Sequence, residues 1–363
     1  MYRLPARRAY APVSRFFMAT VLVVTSAPPL VEGGHLMIAR SLERALLDAG
    51  HRAAVVTTPS NRFGRQASAY LANWLTDVGM TGGGEPVDQV ISLRFPSFAV
   101  RHDAHVSWLN HTMREYYDLW DDFSAPLSPQ ARIKEHVRRQ IIHTADSYLL
   151  SRVSKVFAQS RTVQERLAHW NGIRADVVWP PPPPRPYRCD GYGDYLFVPS
   201  RLAPLKRMDL VLRALAHPAA AGVRCVIGGD GEARAGLVAL SRDLGVDARV
   251  MFAGWLSDAD LVGHLAACRA VVFVPKQEDY GFVTAEAFAS AKAVITCRDS
   301  GGPLDLVRHG ENGWIVDATP AALAAAFAEA MTDAARAERY GIAAQHTADA
   351  LTWDGVVKQL VIA

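Results

Sequence analysis

Short apolar segments alternate with amphipathic helical patterns along most of the chain. An apolar run at Thr20–Thr25 precedes apolar positions that recur at helical spacing over residues 36–47, and a second apolar run follows at Arg52–Thr57. Further strand patterns lie at Val87–Leu93, His105–Leu109 and Val156–Gln159, and helical patterns lie at Arg132–Leu150 and from about Thr162. This alternation predicts parallel sheets that are covered by helices on both faces.

Five consecutive prolines at 180–184 interrupt the alternation. Such a run cannot be helix interior or a central strand, so it predicts a stiff extended linker, with a surface loop as the alternative. After it the pattern restarts, with strands predicted at Tyr195–Pro199, Arg224–Gly228, Val250–Phe252, Ala270–Val274, Ala293–Cys297 and Gly313–Val316, and helices at Met208–Ala216, Glu232–Leu244, Asp258–Cys268, Phe282–Ala291 and Pro303–Arg308. We therefore expect two Rossmann-like, doubly wound α/β domains facing across a cleft, with ligands beyond the carboxyl ends of the strands.

The N-terminus allows two interpretations. Arginines within residues 1–15, followed by an apolar run, resemble a signal peptide, but cleavage near Ala27 would remove the first predicted strand. We favour a disordered extension over residues 1–17, with Met18 as an alternative start. The expected divisions are then a first domain at 18–180, a linker at 181–190 and a second domain at 191–349.

Composition excludes several classes of protein. Half of the 363 residues are hydrophobic and 21% are charged, which is typical of a globular protein, and the net charge of +3 does not indicate a nucleic-acid binder. The four cysteines, at 189, 225, 268 and 297, form no C-x-x-C pair and indicate neither a disulfide framework nor a zinc site. No apolar run reaches about 18 residues, so we expect a cytoplasmic protein without a transmembrane helix.

Glu278 and Glu286 form the sharpest local pattern, on either side of Gly281. Glu278 is expected in the loop after a strand, and Glu286 near the start of the next helix. Both would lie at the carboxyl end of the strand, where carboxylates accept hydrogen bonds from paired sugar or ribose hydroxyls. The alternative is that the glutamates only complement the positive end of the helix dipole.

Two basic residues, Arg201 and Lys206, follow the strand at Tyr195–Pro199. Arginine can clamp two oxygens of a diphosphate and lysine adds a point charge, so the pair is typical of a diphosphate site. The alternative is that both cations are simply solvated.

Glycines follow two further strands. Gly229 and Gly231 permit close backbone approach, although the G-x-G-x-x-G and Walker spacings are absent. Gly301 and Gly302 precede a predicted helix start, where backbone N–H groups are candidates to bind an anion or sugar hydroxyls.

In order and spacing, these patterns resemble the donor domain of glycosyltransferase family 4, whose fold is GT-B. The family pattern R-x4-K, G-x-G, E-x7-E and GG-x-x-E falls here on Arg201 and Lys206, Gly229 to Gly231, Glu278 and Glu286, and Gly301 to Asp305. The resemblance covers about residues 18–360. Asp305 departs from the pattern, since the family usually has Glu there, and the shorter side chain bears on the contact with the donor sugar.

The resemblance extends to the N-terminal half. Gly33 and Gly34 match the glycine loop that meets the donor phosphate in the family, and His111 matches a segment that often carries a histidine on the acceptor side. Residues from about 350 to 363 match a last helix that commonly crosses back to the first domain.

The resemblance implies that a hexosyl group moves from a nucleoside diphosphate sugar to a glycan, lipid-linked or small-molecule acceptor, with retention at the anomeric carbon. Arg201, Lys206 and the Gly33-Gly34 amides would stabilise the leaving diphosphate. Glu278 would hold the hexose hydroxyls, Glu286 the ribose hydroxyls, and His111 would orient donor or acceptor. No metal or other cofactor is implied, and no D-x-D motif stands out.

Two other classes remain open at this point. One is a phosphorylase or nucleotide-sugar epimerase on the same fold, and the other is an inactive nucleotide-sugar-binding protein. The four charged residues of the donor pattern argue against the inactive protein.

The helix predicted at Arg132–Leu150 suggests peripheral contact with an anionic membrane. Arg132, Lys134, Arg138 and Arg139 would form its basic side, and Ile133, Val137, Ile141 and Ile142 its apolar side. The alternative is that the apolar residues pack on the sheet and only the charges are exposed.

Overall fold

The computed structural model describes residues 18–28, 34–60 and 64–362. The first half of the chain forms one sheet of six parallel strands in the order β2-β1-β3-β4-β5-β6. These strands are β1 (Thr20–Ala27), β2 (Arg52–Pro59), β3 (Gln89–Ser92), β4 (His105–Leu109), β5 (Lys155–Ala158) and β6 (Asp176–Val177). The predicted extension at 1–17 lies outside the described residues.

The second half forms another six-stranded parallel sheet, in the order β12-β11-β10-β7-β8-β9. Its strands are β7 (Leu196–Pro199), β8 (Cys225–Gly228), β9 (Val250–Gly254), β10 (Ala270–Val272), β11 (Val294–Cys297) and β12 (Gly313–Val316). The predicted fold class, two doubly wound α/β domains, is confirmed.

The helices of the described residues connect the strands and cover both sheets. In the first half they are α1 (Gly34–Asp48), α2 (Gln66–Leu75), α3 (Trp120–Ser124), α4 (Pro129–Ser151) and α5 (Arg161–Asn171). In the second half they are α6 (Met208–Ala216), α7 (Arg234–Asp243), α8 (Asp258–Ala267), α9 (Phe282–Ala289), α10 (Pro320–Thr332), α11 (Ala334–Asp349) and α12 (Trp353–Leu360).

Helix starts follow local capping signals in the sequence. The side chains of Ser128 and Ser160 accept hydrogen bonds from backbone N–H groups in the first turns of α4 and α5. Each bond satisfies a donor that the helix itself leaves unpaired. The helix predicted at Pro303–Arg308 is instead a short 3₁₀ turn, Gly302–Asp305.

The last helix packs on the first domain. Val356, Val357 and Leu360 of α12 join the apolar core formed by β1, α1 and β4. The side chain of Gln89 in β3 donates to the Leu360 carbonyl at 2.7 Å and accepts from the Ile362 N–H at 2.8 Å. The chain therefore crosses the interdomain boundary twice, once through the linker and once before α12.

The proline-rich linker lies against the protein instead of extending through solvent. Pro180, Pro181 and Pro183 are buried. The Pro180 carbonyl accepts a hydrogen bond of 2.7 Å from the hydroxyl of Tyr280 in the second domain. The linker is therefore packed as well as stiff, and it holds the residues that follow it at a fixed place.

Candidate functional site

Lys206 and Glu278 form an ion pair at the carboxyl edge of the second sheet. Lys206 ends the 3₁₀ turn Pro204–Lys206 after β7, and Glu278 lies in the loop between β10 and α9. Because β7 and β10 are paired in parallel, the loops that follow them lie side by side. About a fifth of each side chain is exposed, so the pair is accessible from the cleft.

Arg207 clamps the loops around this pair. Its guanidinium bonds both carboxylate oxygens of Asp299, at 2.7 and 2.8 Å, and donates to the carbonyls of Val274 and Pro275 at 2.7 Å each. These hydrogen bonds lower the pKa of Asp299 below its ordinary value. Strand β10 ends at Val272, two residues earlier than predicted. No local pattern in the sequence distinguishes the role of Arg207 from that of Lys206 before it.

Gly301 and Gly302 position the Glu278 loop. The Glu278 N–H donates to the Ser300 carbonyl at 2.8 Å, and the Gly302 N–H donates to the Glu278 carbonyl at 2.8 Å. Gly301 has a φ of +75°, and a Cβ there would come within 2.6 Å of the Glu278 carbonyl oxygen. The Gly302 N–H, which was predicted to bind an anion, thus already donates to the Glu278 carbonyl. The two glycines allow the backbones of the two loops to approach closely.

Gly229 and Gly231 bring the loop after β8 against the loop after β7. A Cβ on Gly229, which has a φ of +128°, would collide with the Ser200 carbonyl, and one on Gly231 would collide with the Leu202 carbonyl. The Leu202 N–H donates to the Asp230 carbonyl at 2.9 Å. Arg201 lies in the loop after β7, between Ser200 and Leu202, and its side chain is exposed. No carboxylate of the described residues lies within ion-pair distance of it.

Glu286 is buried and paired with Arg185 of the linker. The hydroxyl of Tyr187 also donates to this carboxylate at 3.3 Å, and the Arg185 guanidinium reaches Asp258 at 2.9 Å. Burial raises the pKa of Glu286 above its ordinary value, and the positive charge of Arg185 opposes that rise. The prediction placed Glu286 facing the ligand and did not include its pairing with Arg185. The only sequence signal for that pairing is that Arg185 follows the prolines directly.

Asp279 bonds the first domain from the residue next to Glu278. Arg166 of α5 donates to its carboxylate, and Arg114 lies 3.5 Å away. Burial alone would raise the pKa of Asp279, but Arg114, His111 and Arg166 together hold it below the ordinary value. Asp279, Arg114 and Arg166 were not predicted, because this contact joins segments more than 100 residues apart.

His111 lies in the loop after β4, close to this cluster. Its Nδ1 is 2.7 Å from the Thr112 carbonyl oxygen. Burial lowers the pKa of His111, partly opposed by the charge of Asp279. The structure therefore places His111 at the interface between the domains, on the first-domain side.

Asp305 faces the first domain, which differs from its predicted contact with a donor sugar. Its Oδ2 accepts from the Arg161 N–H at 2.7 Å, at the start of α5, and from the indole N–H of Trp179 at 2.8 Å. A carboxylate at a helix N-terminus is stabilised by the unpaired N–H groups there. Asp305 therefore joins the two domains, because both of its donors belong to the first half of the chain.

The start of α1 meets the second domain across the cleft. Gly33 lies outside the described residues, but Gly34 opens α1, where a Cβ would touch the ring of Phe282 at 3.6 Å. A cavity of about 830 Å³ adjoins it, lined by Gly34 and Arg40 from α1, Arg185 from the linker, and Trp255 and Leu256 after β9. The indole of Trp255 is 79% exposed. The cavity thus connects a helix N-terminus to the Arg185–Glu286 pair.

Residues 189–347 match the family model described as glycosyl transferases group 1. The matched segment contains Arg201, Lys206, Glu278 and Glu286. A lipopolysaccharide core biosynthesis glycosyltransferase of Rhizobium meliloti is 43% identical over 96 residues, which is 26% of this chain and 27% of the relative. A D-inositol 3-phosphate glycosyltransferase of Acidothermus cellulolyticus is 34% identical over 181 residues, which is 46% of this chain and 39% of the relative. The matches thus span less than half of these relatives.

Solved structures resemble nearly the whole chain. Sucrose-phosphate synthase from Thermosynechococcus elongatus superimposes with a TM-score of 0.70 at 16% identity, covering 93% of this chain and 96% of that one. Anabaena HepE in complex with UDP and glucose superimposes with a TM-score of 0.65 at 18% identity, covering 93% and 98%. The predicted GT-B fold is confirmed, and the family match and the relatives' names support a glycosyltransferase.

Proposed function

We propose that this protein is a retaining glycosyltransferase of family 4, which moves a hexosyl group from a nucleoside diphosphate sugar. The observation that carries the proposal is the Lys206–Glu278 pair, which lies at the carboxyl edge of the second sheet and faces the first domain. Parallel α/β sheets bind ligands at this edge. The family match over residues 189–347 supports the same assignment.

Positive groups converge where the leaving diphosphate would lie. Lys206 provides one charge, Arg201 is exposed in the loop that follows the same strand, and the start of α1 at Gly34 adds the positive end of a helix. As the bond between the sugar and the β-phosphate breaks, negative charge grows on the diphosphate and these groups stabilise it. The side chains therefore supply the charge that a metal ion supplies in other transferases, and we propose catalysis without a metal.

Glu278 would accept hydrogen bonds from the donor hexose. Its pairing with Lys206 holds the carboxylate at the sheet edge, so that one lysine would contact both the sugar-binding carboxylate and the diphosphate. His111, on the opposite wall, would orient donor or acceptor. In a retaining reaction of this kind the acceptor attacks the face that the diphosphate leaves, and the departing phosphate takes the acceptor proton.

Glu286 and Arg185 would bind the nucleoside together. The 830 Å³ cavity passes from the start of α1 to Trp255 and includes Arg185. A ribose there would meet Arg185, which is paired with Glu286, and the exposed indole of Trp255 offers a stacking surface for a base. Because the HepE structure contains UDP, we propose uridine as the first base to test.

We propose that the acceptor site lies at a membrane surface. No helix in the described part of the chain is long and apolar enough to span a membrane. The expectation that the apolar side of α4 packs on the sheet is wrong for three of its four residues: Ile142 is buried, whereas Ile133, Val137 and Ile141 are 68%, 55% and 64% exposed. An exposed apolar stripe beside Lys134 is suited to peripheral contact with an anionic bilayer.

The experiment that tests the proposed reaction is a screen for release of nucleoside diphosphate from a panel of nucleotide sugars. Slow hydrolysis of one UDP-hexose, without added acceptor, is the expected result, because transferases of this type use water when no acceptor is present. No turnover of any UDP- or GDP-sugar, by a protein that is folded, would contradict the proposed function.

A further inference from the structure

A deep apolar groove lies between α2 and α4, outside the candidate site. Its volume is about 990 Å³, at the upper end of the range for small-molecule sites. Leu71 and Trp74 form one wall, Val137 and Ile141 the other, and Ile142 belongs to the floor. Exposed apolar surface is unfavourable in water, so covering this groove with an apolar ligand would be favourable.

The exposed apolar residues of the protein are concentrated around this groove. Among the described residues, six of the large hydrophobic side chains with high exposure lie on these two helices: Leu71, Leu75, Ile133, Val137, Ile141 and Tyr148. Four of them, Leu71, Val137, Ile141 and Tyr148, line the groove itself. The groove is therefore a ligand-sized cavity with an apolar rim, in contrast to a flat patch of scattered residues.

The charges of the groove are all positive. Arg65, Lys134 and Arg138 line it, and no Asp or Glu of the described residues does. Arg138 is paired with Glu135, whereas Arg65 and Lys134 have no carboxylate within ion-pair distance in the described part of the chain. A ligand with an apolar body and an anionic group would complement this lining.

One end of the groove adjoins the loop that carries His111. Gln66, which lines the groove, donates a hydrogen bond of 3.4 Å to the thioether of Met113. Met113 lies two residues after His111, in the same loop. Arg65 lines the groove at this end, so an anionic group bound there would lie between the cleft and the apolar wall.

We propose that the α2–α4 groove binds the hydrocarbon chain of an anionic amphiphile, with the anionic linkage near Arg65 and the group to be glycosylated in the cleft. This inference rests on the proposed function for its acceptor role, and it names the acceptor class as a lipid-linked phosphate. The chain lies along Trp74, Val137 and Ile141, where each buried methylene adds to binding.

The test measures chain binding without any donor, so that its failure is distinguishable from failure of the proposed reaction. Dodecyl phosphate is titrated against the full chain preloaded with cis-parinaric acid, a fluorescent long-chain fatty acid. We expect displacement by dodecyl phosphate, no displacement by inorganic phosphate, and weaker displacement by dodecyltrimethylammonium. Equal displacement by the cationic amphiphile would overturn the charge assignment.

Two kinds of variant locate the binding. The double variant Val137→Glu/Ile141→Glu, at exposed positions, should lower the affinity for the fluorescent probe by at least about tenfold. Ala145→Phe should lower it similarly, because the larger side chain fills the groove without adding charge. Ile342→Glu, at a similarly exposed position on α11, should leave binding unchanged. UDP binding, measured by calorimetry, should be retained in all of them.

Two results would remove the proposal. Unchanged probe affinity in both groove variants would place the chain elsewhere. A dimer of the wild-type protein that Val137→Glu/Ile141→Glu converts to a monomer, measured by light scattering, would assign the groove to a second copy of the chain. In either case a UDP-hexose that is still turned over would leave the proposed function intact.

Discussion

Lys206 and Glu278 carry opposite charges into one small region of the cleft. Neither side chain is fully buried, so their mutual attraction is screened by water and contributes little to stability. The main effect of the pair is positional, because each side chain holds the other at the sheet edge before a ligand binds. Preorganised charge of this kind acts mainly on the transition state.

Replacing Lys206 with Ala should lower kcat by about a hundredfold or more, because one charge that faces the leaving phosphate is removed. The measurement is steady-state release of nucleoside diphosphate. Lys358→Ala, which removes an exposed lysine on α12, is the matched control and should retain full activity. A Lys206→Ala variant that turns over like the wild type would exclude Lys206 from the site.

Substitutions of the two glutamates should have different effects on the affinity for free UDP. Glu286→Gln should weaken it by at least about tenfold, because a ribose loses a charged acceptor, whereas Glu278→Gln should leave it nearly intact and lower sugar transfer instead. Calorimetry with UDP on both variants measures the difference. Equal losses from both would contradict the division of roles.

Thermal unfolding must accompany that comparison. Glu286→Gln leaves Arg185 buried beside an uncharged partner, and breaking a buried pair is costly to stability. A Glu286→Gln protein that keeps its melting temperature but loses UDP affinity would assign Glu286 to the ligand. The reverse result would assign it to the linker contact alone.

The sequence could predict where the site residues lie but not what they contact. Arg201, Lys206 and Glu278 each follow a strand, and position after a strand is a local property that apolar periodicity reveals. The partners Arg185, Arg166 and Arg114 come from segments distant in sequence, and no local pattern distinguishes them from solvated arginines. The same limit explains Asp305, whose bonds depend on where α5 begins.

Helix α4 carries a buried carboxylate at Asp146. Its two oxygens accept hydrogen bonds from the hydroxyls of Tyr70 and Tyr117, the latter at 2.7 Å. Burial raises the pKa of Asp146 from 3.8 to about 7, and the two hydroxyls partly oppose the rise. The folded protein thus holds a proton that the unfolded chain has already lost between about pH 4 and pH 7.

The free energy of unfolding should therefore fall as the pH rises from about 4 to about 7, by roughly 4 kcal/mol from this one group. Asp146→Asn should flatten that dependence, which denaturant unfolding at pH 5 and pH 8 measures. Asp103→Asn, at an exposed position, is the control. The same slope in Asp146→Asn and wild type would refute this account of the carboxylate.

Membrane contact should depend on the exposed stripe of α4. Arg138 pairs with Glu135, and Arg139 lies over the rings of Trp120 and Trp170 and donates to the Tyr116 carbonyl at 2.8 Å. Arg132 also donates to the Ser124 carbonyl at 3.1 Å. Three of the four predicted basic residues are thus engaged in the fold, and reversing their charge would test folding instead of membrane contact.

The informative variant is Lys134→Glu/Ile133→Glu, at two exposed positions. Co-sedimentation of the wild type with phosphatidylglycerol vesicles should be strong at low salt and weak at high salt, and this variant should lose it. Absence of binding by the wild type at low salt, or unchanged binding by the variant, would retire the membrane proposal.

Elements with a clear apolar period were predicted most closely. His105–Leu109, Met208–Ala216 and Gly313–Val316 match the structure residue for residue, because buried strands and strongly amphipathic helices have clear periods. Helices α10 and α11 were not predicted, since alanine-rich sequences show little apolar contrast between faces. For α4 the sequence left open whether its apolar face is exposed or packed on the sheet, because it shows an apolar face but not whether anything covers it.

The molecule as a whole joins its domains through the residues that border the site. Asp279 bonds Arg166, Asp305 bonds the start of α5, and α12 packs back on the first domain. Glu278 is thereby adjacent to contacts between the domains. We therefore expect a donor bound at Glu278 to affect the separation of the domains.

Removal of metal ions should leave the reaction intact. Excess EDTA should not lower the rate, because Arg201, Lys206 and the start of α1 provide the positive charge. A rate lost in EDTA and restored by Mg²⁺ or Mn²⁺ would contradict catalysis by these groups alone.

The most direct test of the account is proton NMR of the turnover of an α-linked UDP-hexose in the presence of EDTA. The anomeric proton of the first-formed product distinguishes the two stereochemical outcomes before mutarotation. We predict release of UDP together with an α-configured sugar, at a rate that Lys206→Ala lowers by about a hundredfold. A β-configured first product, or a rate that Lys206→Ala leaves unchanged, would contradict the central claim.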